Sequence, residues 1–124
     1  MKILVTGSAG HLGEALMRSL PHQLVGVDRL ASAYTQRVGD LADSAFVDEC
    51  CRGVEVVLHT ATLHKPHVGT HRRQDFVDTN ITGTLNLLEA AKKHGCRGLI
   101  FTSTTSVFGA ALTPAAGSPA AWIT

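Results

Sequence analysis

Apolar positions come in short runs, and their period switches between strand-like and helical along the chain. Lys2-Ile3-Leu4-Val5-Thr6 is an apolar run of strand length. Leu12, Ala15, Leu16 and Ser19 then fall at i, i+3, i+4 and i+7, one face of a helix that opens near His11 and stops at Pro21. Gln23 to Asp28 predicts a second strand, and Arg37-Val38-Gly39 a short third one after the polar connector Leu30 to Gln36. Asp43 or Ser44 can cap a helix carrying Phe46, Val47, Cys50 and Cys51, closed by Gly53. Val54 to Leu58 reads as a strand buried on both faces. Leu63 to His71 lacks a period, contains Pro66 and Gly69, and reads as a loop. Arg72 to His94 is helical with two apolar stripes: Phe76, Gly83, Leu87 and Ala91 on one side, Val77, Ile81, Leu85 and Leu88 on the other. A helix apolar on two sides is covered on two sides. Gly98 to Phe101 predicts the fifth strand, and Val107 to Thr124 reads as Ala/Pro/Gly-rich loop.

Strands alternating with helices imply an α/β fold with a parallel, right-handed sheet. The expected form is a single Rossmann-type, doubly wound domain over residues 1–124 with strand order 3-2-1-4-5. Its ligand crevice lies beyond the carboxyl ends of strands 1 and 4. Five loops begin at such ends: Gly7 to Gly13, Asp28, Asp40-Leu41, Ala61 to His64, and Thr102 to Ser106.

The first loop, Gly7-Ser8-Ala9-Gly10-His11-Leu12-Gly13, places three glycines between a strand and a helix. Gly7 permits the turn off the strand, Gly10 lets backbone approach a pyrophosphate, and Gly13 lets the helix pack against the sheet. The first-turn N–H groups of that helix lack internal partners and favour an anion. Asp28 ends strand 2 about 20 positions on, where a carboxylate accepts hydrogen bonds from the adenosine ribose hydroxyls. It would repel a 2′-phosphate, which favours NAD over NADP. Arg29 beside it could pair with that phosphate, so NADP stays open as the lesser choice.

Charge and composition narrow the partners. A net charge of +1 over 124 residues gives no reason to expect a nucleic-acid or membrane-surface partner. No apolar run reaches the roughly 18 residues of a membrane span. Met1 leads straight into a strand, with no signal peptide. Cys50, Cys51 and Cys96 are odd in number and lack metal-site spacing, so a reduced, cytoplasmic chain is expected. His59, His64, His67 and His71 fit no standard metal spacing, and no metal site is expected. Lys65, Arg72 and Arg73 read as solvated, or as a basic lip that could meet a substrate's diphosphate.

Taken together, the five loops resemble the extended short-chain dehydrogenase/reductase family, the NAD-dependent sugar-nucleotide epimerases and dehydratases. Thr6-Gly7-Ser8-Ala9-Gly10-His11-Leu12-Gly13 is similar to its TGxxGxxG, and Asp28 to its ribose carboxylate. Asp40-Leu41 resembles the pair that holds the adenine amino group, and His59-Thr60-Ala61-Thr62 the segment under the pyrophosphate and nicotinamide ribose. Asn80-Ile81-Thr82-Gly83-Thr84-Leu85-Asn86-Leu87-Leu88-Glu89-Ala90-Ala91 is close to N-x-x-G-T-x-N-L-L-E-A-A, with Asn80 as the structural asparagine. Ser103-Thr104-Thr105-Ser106-Val107-Phe108-Gly109 resembles S-[ST]-x-x-V-Y-G, which implies that Thr104 is the catalytic hydroxyl and that Thr102 and Ser103 line the cofactor. His64 stands where several relatives carry a lysine near the nicotinamide ribose. The resemblance implies hydride transfer to NAD from a sugar or nucleotide-sugar substrate, with a tyrosine as general base and a lysine lowering its pKa.

That base is missing here. Tyr34 is the only tyrosine and lies in the connector after strand 2; no Y-x-x-x-K is present. The sequence therefore reads as an N-terminal portion, without the later strands and the substrate region, and inactive alone. Its second helical stripe would cover a homodimer contact or a further helix through residues 72–94. A non-catalytic dinucleotide-binding sensor or interaction module remains the alternative.

Overall fold

The computed structural model of the chain describes residues 1–104 and 113–119. The segment Thr105, Ser106, Val107, Phe108 and Gly109 of the family pattern lies outside the described residues, as do residues 110–112 and 120–124 of the expected loop.

Five parallel strands form one sheet: β1 (Lys2–Thr6), β2 (Gln23–Asp28), β3 (Arg37–Val38), β4 (Val56–His59) and β5 (Gly98–Phe101). Their order is β3-β2-β1-β4-β5, the doubly wound order expected. Helix α1 (His11–Ser19) follows β1, α2 (Ser44–Cys51) follows β3, and α3 (Arg73–Phe76) and α4 (Gly83–Lys93) lie between β4 and β5. Right-handed crossovers put α1 on one face and the packed pair α2 and α4 on the other.

The register explains the core. Leu4 pairs with Val25 and Val57, and Val57 with Leu99, so one row crosses the sheet on the α2–α4 side. Leu4 and Val57 are fully buried there against Val47, Cys51 and Leu87. One residue along each strand the side chains switch faces, and Ile3 and Val5 bury towards α1. The α1 side is thinly covered over β4 and β5: Ile100 is exposed, next to half-buried Leu58.

The structure corrects several boundaries. Val54 is buried but precedes β4, which begins at Val56 and runs through His59. Val54 donates its N–H to the Cys51 carbonyl and so belongs to the turn after α2. The loop 63–71 contains a 3₁₀ turn, Lys65–His67. The long helix expected over 72–94 is interrupted by a π-helical stretch, Val77–Thr82. Leu12 is largely exposed, and the residue that α1 buries is Gly13. Asp43, rather than Ser44, caps α2, accepting the N–H groups of Ala45 and Phe46. The two stripes of the long helix divide as expected: Leu87 and Ala91 are buried, whereas Val77, Ile81, Leu85 and Leu88 are exposed. Among the described residues, no helix is long and apolar enough to cross a membrane.

Candidate functional site: a glycine-lined crevice at the switch point

The glycine loop is tight because its backbone is used twice. Gly7 and Ser8 donate their N–H groups to the Val27 carbonyl of β2 at 2.8 and 3.2 Å, and Gly10 donates to the Gly7 carbonyl at 2.9 Å. Gly7 has φ +73°, the left-handed region that favours glycine. A Cβ at Gly13 would stand 1.9 Å from the Gly7 carbonyl oxygen, so only glycine lets α1 start this close to the strand. At Gly10 the same test meets only the Gly7 oxygen, at 3.2 Å. The other side of Gly10 is open, and it is the exposed N-cap of α1. His11 and Leu12 follow it, both exposed, with first-turn N–H groups that have no acceptor inside the helix.

Asp28 is bound to this loop. Its Oδ2 accepts the Ala9 N–H at 3.0 Å and its Oδ1 the Leu30 N–H at 2.9 Å. Ser8 is fully buried, with its hydroxyl turned to Thr35 Oγ1, 2.9 Å away, and its N–H held by Val27, so it shapes the loop rather than offering a donor to the crevice. Thr35 thus supports the glycine loop from the connector after β2, a role that its polar sequence neighbourhood did not signal.

Asp40 accepts the Ala42 N–H at Oδ1, and its Oδ2 lies 3.4 Å from Arg29 Nε. Arg29 is thereby engaged across the ends of β2 and β3, where the sequence had offered it to a 2′-phosphate. Leu41 is buried, and a Cβ on Gly83 would come within 2.9 Å of its Cβ. Asn86 Nδ2 donates to the Leu41 and Ala42 carbonyls at 2.8 and 3.2 Å. Helix α4 therefore fixes the backbone that carries Asp40.

After β4 the chain turns against the same glycine loop. A Cβ on Gly7 would meet Ala61 N and Thr60 Oγ1, each at 2.8 Å. The Thr60 hydroxyl donates to the Thr6 carbonyl at 2.7 Å. Asn80, in the π-helical stretch, holds the next residues: its Oδ1 accepts the Leu63 N–H at 2.8 Å and the Thr62 hydroxyl at 3.2 Å, and its Nδ2 donates to the Leu63 carbonyl at 2.8 Å. His64 is exposed, and its ring stands edge-on to His67, which stands edge-on to His71. Among the described residues, no group of three or more His, Cys, Asp or Glu could hold a metal ion. Thr102 donates its N–H to the His59 carbonyl at 3.0 Å, and Thr102, Ser103 and Thr104 are exposed just beyond β5. His59 is different: it is buried, its pKa lowered by that burial to about 4, and its ring lies between Thr6 and Thr84.

The sequence model of the NAD dependent epimerase/dehydratase family matches residues 3–120. The chain belongs to this family. It is 36% identical to a 2-alkyl-3-oxoalkanoate reductase of Stenotrophomonas maltophilia, over 94% of this chain and 37% of that protein. A short-chain dehydrogenase/reductase superfamily protein of Agrobacterium tumefaciens, solved with bound NAD, superposes with TM-score 0.77 at 32% identity, over 88% of this chain and 34% of the other. MoeE5, solved with UDP-glucose and NAD, superposes with TM-score 0.75 at 28% identity, over 88% of this chain and 38% of its own. The chain thus spans between a third and two fifths of the length of curated relatives that it matches. As a member of the epimerase/dehydratase family it has a loop that suits a dinucleotide. Around Gly10 the loop is open apart from the Gly7 oxygen, which leaves room for a pyrophosphate to approach the backbone, and the carboxylate of Asp28 is anchored to the adjacent Ala9.

Proposed function

We propose that this chain is the NAD-binding portion of an epimerase/dehydratase-type oxidoreductase that acts by hydride transfer on a nucleotide-linked sugar. The observation that carries the reading is the hydrogen bond from Ala9 N–H to Asp28: it ties a ribose-accepting carboxylate to the anion-accepting loop. Gly7, Ser8, Ala9 and Gly10 spend their own N–H groups shaping the loop, and the first-turn N–H groups of His11, Leu12 and Gly13 would hold the pyrophosphate. Asp28 would take the ribose, and Asp40 and Leu41, with Arg29 alongside, would frame the adenine. Thr60, Ala61, Thr62 and His64 would line the nicotinamide half, with Asn80 steadying that loop and Thr102 and Ser103 closing it. When bound, the nicotinamide supplies the hydride acceptor. Thr104 would hydrogen-bond the reacting substrate oxygen. Tyr34, the single tyrosine of these 124 residues, lies in the connector after β2 and does not supply the family's general base.

The oxoalkanoate reductase among the relatives makes a non-sugar substrate a real alternative, and the absence of Y-x-x-x-K from these 124 residues keeps open a non-catalytic dinucleotide sensor. We place the protein in the cytoplasm on its three free thiols. Its exposed stripe Val77, Ile81, Leu85 and Leu88 suits a second copy in a homodimer. The test is a fluorescence titration with NADH and then NADPH. Saturable NADH binding, weaker NADPH binding, and at least a tenfold loss in Asp28→Ala are expected. A folded chain that binds neither overturns the reading.

A further inference from the structure

The last row of the sheet before the crevice places Thr6, His59 and Phe101 side by side, because Thr6 pairs with His59 and His59 with Phe101. His59 touches Thr6 Oγ1 through Nδ1 at 2.7 Å and Thr84 Oγ1 through Nε2 at 2.9 Å. The hydrogens can be placed by elimination. The Thr84 hydroxyl stands 2.8 Å from the Asn80 carbonyl, which can only accept, so its single hydrogen goes there. Towards His59 it can only accept, and Nε2 therefore carries the proton. Nδ1 of the neutral ring is then an acceptor, and the Thr6 hydroxyl donates to it. That leaves the Thr6 lone pairs for the N–H groups of Thr60 and Ala61, at 3.2 and 3.3 Å. Every donor hydrogen and every acceptor in the chain of contacts is then used in a compatible sense.

We infer that His59 is a positioning residue of the cofactor crevice: as a neutral ring protonated on Nε2, it aims the Thr6 and Thr84 hydroxyls and so fixes the loop Thr60–Leu63 against the glycine loop. Besides the bond from the Thr60 hydroxyl to the Thr6 carbonyl, two attachments that hold that loop lead back to His59. One runs through Thr6 to the Thr60 and Ala61 amides, which pack on Gly7. The other runs through Thr84 to the Asn80 backbone, whose side chain pairs with Leu63. A proton on Nδ1 would break the first. Nδ1–H would then compete with two backbone N–H groups for the Thr6 oxygen, and the Thr6 hydroxyl hydrogen would lose its acceptor. The ring also stands beside Phe101, 5.4 Å away between centroids, and burial lowers its pKa. Among the described residues, no ionised side chain steadies a charged ring there.

The cofactor arm of the test rests on the function proposed above, and the spectroscopic arms do not. In the full chain labelled with ¹⁵N, the two-bond imidazole spectrum of His59 should keep the Nε2–H pattern from pH 8 to pH 5. A ring that is protonated on Nδ1 or charged in that range overturns the inference. His59→Asn places Oδ1 where Nδ1 was and can still accept the Thr6 hydroxyl; His59→Leu cannot. Amide exchange of Thr60 and Ala61 should therefore accelerate at least tenfold in His59→Leu and stay within threefold in His59→Asn. Equal acceleration in both, or in neither, overturns it. If the unaltered chain binds NADH, the dissociation constant should rank in the same order, at least tenfold weaker for Leu and weakened less for Asn, which keeps the Thr6 bond and gives up the one to Thr84. If it does not bind NADH, the proposed function fails while the exchange data still decide the role of His59.

Discussion

Asn80 pairs with Leu63 as a neighbouring strand would, accepting its N–H at 2.8 Å and donating to its carbonyl at 2.8 Å. One side chain thus satisfies both backbone groups of a half-buried loop residue seventeen positions earlier. Removing it leaves two polar groups to find water or move. Asn80→Ala should cost about 1–3 kcal/mol, read as a lower urea midpoint. Asn80→Asp keeps the acceptor and loses the donor, so it should fall between the two. An alanine variant as stable as the parent would mean that the loop repairs itself with solvent.

The glycines of the first loop should separate folding from binding. At Gly13 an alanine methyl would lie 1.9 Å from the Gly7 oxygen, so α1 must back away from β1. Gly13→Ala should lose on the order of 3 kcal/mol or more through overpacking and lose NADH binding with it. At Gly10 the nearest atom is 3.2 Å away and φ is −84°, an ordinary value for alanine. Gly10→Ala should keep its thermal midpoint within a few degrees and still bind NADH at least tenfold more weakly. Thermal denaturation beside the fluorescence titration checks both. Parallel loss in the two variants would place the anion elsewhere.

Much of this arrangement is legible in the chain because each feature has a local cause. Strand order follows from alternating runs and right-handed crossovers, and the glycine loop and Asp28 stand in sequence where the fold needs them. What the sequence hides is non-local or off-period. A π-helical turn inserts extra backbone without disturbing the apolar stripes, so Phe76 to Ala91 reads as plain helix. Thr6 and Thr84 look like ordinary strand and helix residues until parallel pairing and α4 bring them to His59. Arg29 and Asp40 are eleven residues apart, and only the pairing of β2 with β3 makes them an ion pair.

The unburied stripe makes a prediction about association. Ile81 is 64% and Leu85 54% exposed, on a helix whose opposite side is buried in the core. Ile81→Glu with Leu85→Glu removes exposed apolar surface and touches no buried contact, so the fold should hold within about 0.5 kcal/mol. Light scattering after gel filtration should find the parent as a dimer and the double variant as a monomer. A monomeric parent at tens of micromolar would remove the case for self-association through this face.

The pH dependence of stability should show two separate acid steps. His59 has its pKa lowered to about 4 by burial, from 6.5. Between those values the unfolded chain holds a proton that the folded chain refuses. The unfolded state therefore binds more protons, and stability falls as pH drops from 6.5 towards 4. The full step is on the order of 3 kcal/mol at 1.36 kcal/mol per unit, and all of that stability is present above pH 6.5. Asp48 has its carboxyl pKa lowered, chiefly by the hydrogen bond from Lys93 with His94 adding to it, while partial burial opposes. Its stabilisation is present above the ordinary carboxylate value of about 4 and is lost only as the pH falls through the lower folded value. The upper step thus belongs to the histidine and the lower one to the carboxylate that ties α2 to α4. Urea midpoints measured from pH 8 to pH 3 should fall in both windows. His59→Asn should flatten the upper window alone and Asp48→Asn the lower alone. A His59→Asn profile that still falls between pH 6.5 and 5 would assign that step to another histidine and mean that His59 takes up its proton equally in the folded and unfolded states.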